Sequence, residues 1–179
     1  MVDTQKKLAD LQTLWADNST RQISAQDIRD ALVTLMGGYG SIHCNDGSGT
    51  QNVATATKVV VNQFTANGAA SGVTPDHTND KLTTGIVGDY LMLLTMSFAS
   101  DAAAGEAFEA RILVAGAEVN GLSAQKTVTN ADDVNEIVVS GIADDVAAAA
   151  AITVQIEHDG AGTQTFDVKQ ANLSMKLVG

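Results

Sequence analysis

The stretch from Gly88 to Phe98, GDYLMLLTMSF, limits what this chain can become more than any other. Tyr90, Met92, Leu94, Met96 and Phe98 fall at every second position, and successive side chains of a strand point to opposite faces. One face is therefore wholly apolar. The other starts apolar at Leu91 and Leu93 and turns polar at Thr95 and Ser97. A central strand has this pattern when one face lines a core and part of the other is covered too, for example by a neighbouring subunit. An apolar run of this length also suits a buried helix, but the strict period of two favours a strand. Phe108, Ala110, Ile112 and Val114 repeat the device, alternating with Glu109 and Arg111.

The same period marks strands over 57–64, 81–86, 89–98, 107–114, 122–129, 135–140, 150–157, 163–168 and 171–178. Asn67-Gly68, Asn120-Gly121 and Asp159-Gly160 lie between them and accept the positive φ of tight turns. Val146–Ala151 is alanine-rich and reads as the start of the strand that follows, at a place where bulk is excluded. Many short strands without intervening helices imply an antiparallel sandwich or jelly roll.

The opening of the chain follows a different period. Leu8, Leu11, Leu14 and Trp15 form one helical stripe over 4–16. A second helix is capped by Ser24, carries Asp27 in its first turn, presents Ile28, Leu32 and Leu35, and stops at Gly37-Gly38. Helices this short need a surface to pack on. Residues 1–40 thus read as a helical attachment arm, 41–62 as a linker and first strand, and 63–179 as the strand-rich domain. The polar, glycine-rich residues 41–52 read as linker or exposed loop.

Charge separates the same regions. The net formal charge is -11; residues 1–40 hold four basic and five acidic groups, and the rest six basic and sixteen acidic. An acidic strand domain repels phosphate backbones and anionic lipid, so neither nucleic acid nor membrane is an expected partner. Aromatic residues are only 4% of the chain, which leaves a core of Val, Ile, Leu, Ala and Met and favours burial completed by association. With Cys44 as the single cysteine there is no internal disulfide, and MVDTQKKLAD lacks the apolar core of a secretory signal. The expectation is a soluble chain made in a reducing cytoplasm.

No grouping suits catalysis. His43 and Cys44 are adjacent, point in opposite directions on extended chain, and lack the second pair of a zinc site. Glu157-His158-Asp159 reads as a solvated hairpin tip. Asp132-Asp133 and Asp144-Asp145 are candidates for calcium, but the spacing of a calcium loop is missing. There is no G-x-S-x-G elbow and no phosphate-cradling glycine loop, so no enzyme, metal or cofactor is expected. The scarcity of exposed aromatic platforms also argues against a lectin. Trp15 has two readings: packing on Leu11 and Ile28, or anchoring in a partner's groove.

Residues 14–40, LWADNSTRQISAQDIRDALVTLMGGYG, resemble a segment near the start of many tailed-phage minor virion proteins, where it precedes a fibre, spike or decoration domain. Residues 63–179 resemble the complement/tumour-necrosis-factor-like jelly roll. The likeness rests on Gly88 and Tyr90 opening a long apolar strand, a partner strand from Phe108 to Gly116, and a terminal Leu-x-Met-x-Leu strand. The resemblances imply a mainly β protein: an antiparallel jelly-roll sandwich preceded by a short two-helix arm. They further imply a homotrimer on the outer surface of a phage head, as a capsid decoration (cement) or head-fibre protein. Leu8, Leu11, Leu14, Trp15, Ile28, Leu32 and Leu35 would bind the major capsid protein or another virion subunit. Tyr90, Leu91 and Leu93 would lie at the trimer interface. The alternative is a tail-fibre or receptor-binding appendage that recognises a host surface through loops 65–80, 99–106 and 130–134.

Overall fold

The structure, a computed structural model, describes residues 37–45 and 49–179. Residues 1–36 of the arm, with all seven candidate binding residues, lie outside the described residues, and Tyr39 and Gly40 at its end belong to the first strand. The rest is mainly β, in two six-stranded antiparallel sheets. In chain order the strands are β1 (Tyr39–Cys44), β2 (Thr50–Ala54), β3 (Val59–Val60), β4 (Ala66–Asn67), β5 (Val73–Asp76), β6 (Lys81–Thr84), β7 (Gly88–Ala99), β8 (Ala107–Val114), β9 (Ala117–Thr127), β10 (Asn135–Val146), β11 (Ala151–His158) and β12 (Thr163–Leu177). One sheet runs β10-β7-β12-β1-β4, with β2 also on β12; the other runs β5-β6-β11-β8-β9, with β3 also on β11. Chain neighbours β10, β11 and β12 alternate between the two sheets and stitch the sandwich by crossovers, while β5–β6 and β8–β9 are hairpins within one sheet.

The alternation in β7 does what its spacing predicts. Tyr90, Met92, Leu94, Met96 and Phe98 are all buried between the sheets. They meet Ile152, Val154 and Ile156 of β11, together with Phe108, Ala110 and Ile112 of β8. Phe98, Phe108 and Phe166 cluster with ring centroids 4.7 to 5.4 Å apart, so three of the few aromatics concentrate in one part of the core.

Three local readings change. Residues 41–45 and 49–52 do not form a linker: Ile42 and Cys44 of β1 and Val53 of β2 are buried, and both strands pair with β12. Serine, glycine and histidine diluted a short alternation that tertiary pairing then enforced. The two strands expected over 163–168 and 171–178 are one strand, β12, in which Lys169 is the extra residue of a bulge. The buried positions Phe166 and Val168 give way to Ala171, Leu173 and Met175, a change of phase that the bulge absorbs. Asn120-Gly121 likewise sits inside β9, where Gly121 takes φ +83° beside a register shift against β8.

The hairpin-tip reading of residues 157–159 also fails. His158 is buried, its Nδ1 accepts the Gly160 N–H at 3.0 Å, and its ring packs 5.6 Å from that of Phe108. Glu157 binds Arg111 at 2.7 Å. The Asp159-Gly160 turn does occur, between β11 and β12, but its histidine turns inward.

Candidate self-association face

The sandwich has two outer faces, and they differ in chemistry. On the β11 sheet, Arg111 lies among Glu109, Glu157 and Glu118, and Lys58 pairs with Glu118. The hydrogen bond from Lys58, helped by the Coulombic pull of Lys58 and Arg111, holds the Glu118 carboxyl below its usual range. This face is charged, internally paired and wettable.

The β7 sheet presents the opposite case. Register across β1, β12, β7 and β10 sets its outward side chains in rows. The first row is Tyr39, Lys176, Leu91 and Ile142. The second is Ser41, Ser174, Leu93 and Ser140. The third is His43, Asn172, Thr95 and Val138, and a fourth holds Gln170, Ser97 and Glu136. In a chain of net charge -11, the formal charges in these four rows are Lys176 and Glu136, with Asp144 and Asp89 beyond Ile142 and Leu91 on the rim. Leu91, Leu93, Val138 and Ile142 are 39 to 57% exposed. Loss of charge from the middle of a patch, with apolar groups and small hydroxyls in its place, marks surfaces that become buried by association.

The sequence-derived interface residues divide accordingly. Leu91 and Leu93 open on this face. Tyr90 points the other way, is fully buried, and donates its hydroxyl to the Ile86 carbonyl at 3.0 Å. Burial pushes the Tyr90 phenol up to about 12. It belongs to the core of its own chain. Val138, Ile142 and Lys176 were missed because the face is assembled from four strands distant in sequence. The signal was present in each strand as outward apolar residues.

A concavity of about 490 Å³ occupies the polar end of this face, lined by His43, Thr95, Ser97, Glu136, Gln170 and Asn172 among others. Its hydroxyls and amides offer hydrogen bonds, and its lining contains no Phe, Tyr or Trp. Among the described residues, no group of three or more His, Cys, Asp or Glu side chains is placed to hold a metal ion. Asp133 instead accepts from the Asn130 side chain, and the Asp132 N–H donates to the Ser100 carbonyl. Loops 99–106 and 130–134 therefore meet at one end of the sandwich, whereas 65–80 contributes β4, β5 and a single 3₁₀ turn over His77–Asn79.

No family model and no curated protein matches the chain. Solved structures do. The Eiger TNF of S. frugiperda superposes with a TM-score of 0.55 at 11% identity, covering 80% of this chain and 93% of that one. The globular domain of zebrafish complement 1qA gives 0.57 at 12% identity, covering 80% and 98%. The fold is the TNF/C1q-like jelly roll. Its topology is thus shared with those domains even though about nine residues in ten differ.

Proposed function

We propose that this chain is a homotrimeric virion structural protein, a decoration or head-fibre subunit whose jelly roll self-associates through the β7 sheet and whose N-terminal segment holds it to the shell. The observation that carries the reading is the charge-poor outer face of that sheet, set against the ion-paired face on the other side of the same sandwich. Domains of the TNF/C1q-like fold are typically homotrimers, which favours three copies over two. A closed ring of three leaves no sticky surface to propagate. The virion setting rests on the likeness of residues 14–40 to phage minor virion proteins. Three arms on one particle would make modest individual contacts durable, because the second and third dock at high effective concentration.

Binding to purified phage heads tests the attachment. In the intact chain, Trp15→Ala combined with Leu32→Asp is expected to abolish binding while leaving the number of chains per particle unchanged. Unaltered binding by that variant would refute the arm's role. Copies per virion test the setting: hundreds agree with decoration, whereas a handful would favour a tail appendage.

A further inference from the structure

Lys176 is exposed in the first row of this face, beside Tyr39 and Leu91, and among the described residues it has no ion-pair partner. The adjacent Asp89 carboxylate accepts the Asp145 N–H at 2.8 Å. If the face closes against another copy, an unpaired lysine inside it loses hydration without compensation, which opposes closure. Of the acids on this face, Asp89 lies on β7, diagonal to Lys176, and accepts the Asp145 N–H, while Glu136 and Asp144, which accept no side-chain or backbone donor among the described residues, lie on β10, two strands away. From the spacing of strands and residues, Asp144 is roughly 12 Å from Lys176 in its own chain, too far to pair. Charge is therefore spread unevenly from side to side, with Lys176 toward β1 and Glu136 and Asp144 on β10.

Symmetry decides which acid can meet the lysine. Rotation about an axis parallel to the strands preserves height along them, so a cyclic arrangement brings the β1–β12 side of one copy to the β10 edge of the next at the same level. Lys176 stands level with Ile142, one outward position from Asp144, whereas Glu136 lies six residues along the strand, about 20 Å away. A two-fold axis lying across the strands inverts heights instead, which takes Lys176 of one copy away from the level of Asp144 in the other. Building on the homotrimer reading, we infer that Lys176 of each copy pairs with Asp144 of its neighbour, and that this contact closes the ring and fixes its rotational sense.

Charge exchange in the intact chain tests this, with association followed by light scattering through a dilution series and folding by circular dichroism. Lys176→Glu and Asp144→Lys should each weaken association roughly tenfold or more, as close interfacial charge pairs do. The double variant should return to within about threefold of the original, by the logic of a charge-coupling cycle. Lys176→Glu joined to Glu136→Lys should stay weak. Rescue by Glu136→Lys, or a double variant as weak as the sum of its singles, would overturn the pairing. If a reversed charge unfolds the chain, Lys176→Gln and Asp144→Asn replace it; single losses that do not add in the double then support the pair, and additive ones refute it. An unaltered chain that stays single at every concentration would remove the underlying seam, an outcome distinct from association that ignores these charges.

Discussion

Leu93 and Leu94 are neighbours in β7 that face opposite ways, so the same substitution at each separates folding from association. Leu94 is fully buried between the sheets, while Leu93 is 39% exposed between Ser174 and Ser140. Leu94→Asp loses about 2 to 3 kcal/mol of leucine burial. It also places a carboxyl among apolar side chains without a partner, which costs several kcal/mol more. Domains of this size are stable by only about 5 to 15 kcal/mol, so little folded protein should remain. The milder Leu94→Ala should cost about 3 to 5 kcal/mol. Leu93→Asp gives up part of an exposed contact and some strand preference, about 1 kcal/mol. It should fold, yet it sets a carboxylate into each copy of the proposed seam and should yield single chains. Urea unfolding followed by far-ultraviolet circular dichroism, with light scattering on the same samples, reads both effects. A native-like transition for Leu94→Asp, or unfolding of both variants alike, would refute the facing of β7. A Leu93→Asp chain that assembles normally would refute the seam.

Alkaline titration offers an independent check of the core. The Tyr90 phenol is raised to about 12 by burial, above the usual 10, so its share of stability is whole below pH 10 and drains as pH rises toward 12. The loss should be roughly 2 to 3 kcal/mol over that span. Tyr90→Phe should flatten it while costing about 1 kcal/mol at neutral pH through the hydrogen bond to Ile86; equal alkaline slopes in both proteins would refute the assignment. At the acid end, the Thr165 N–H donates to Asp101 at 2.6 Å and holds that carboxyl below its usual range. Its contribution is present above the unfolded carboxylate range and disappears as pH falls through the depressed folded value. Asp101→Asn should remove that part of the acid slope, and an unchanged stability–pH curve would count against the contact. Gly85→Ala would bring a Cβ to 2.7 Å from the Gly72 carbonyl oxygen, a backbone atom that cannot step aside cheaply. It should cost about 1 to 3 kcal/mol in a urea titration, as overpacking does; a neutral result would show that the 72–85 approach is looser than described.

How far the sequence carried can be seen in particular strands. β7, β8 and β11 were legible because each buries one face against an apolar layer, so alternation is strict from Tyr90 to Phe98 and from Ile152 to Ile156. β1 and β2 were hidden because only Ile42, Cys44 and Val53 are required to be apolar, and their hydrogen bonds to β12 supply the rest. His158 looked like a loop residue because a turn dipeptide follows it; only the fold shows the ring folded back onto Phe108. The proposed association face was half visible. Leu91 and Leu93 declare themselves inside one strand, but Lys176, Val138 and Ile142 join them through pairings that no local period encodes.

The number of chains in one particle, measured by light scattering on the intact, unaltered protein, bears most directly on the central claim that the β7 face is a seam between copies. The account predicts three. A single chain across the whole accessible concentration range would contradict it, because the apolar row of Leu91 and Ile142 would then stand open to water with nothing to cover it.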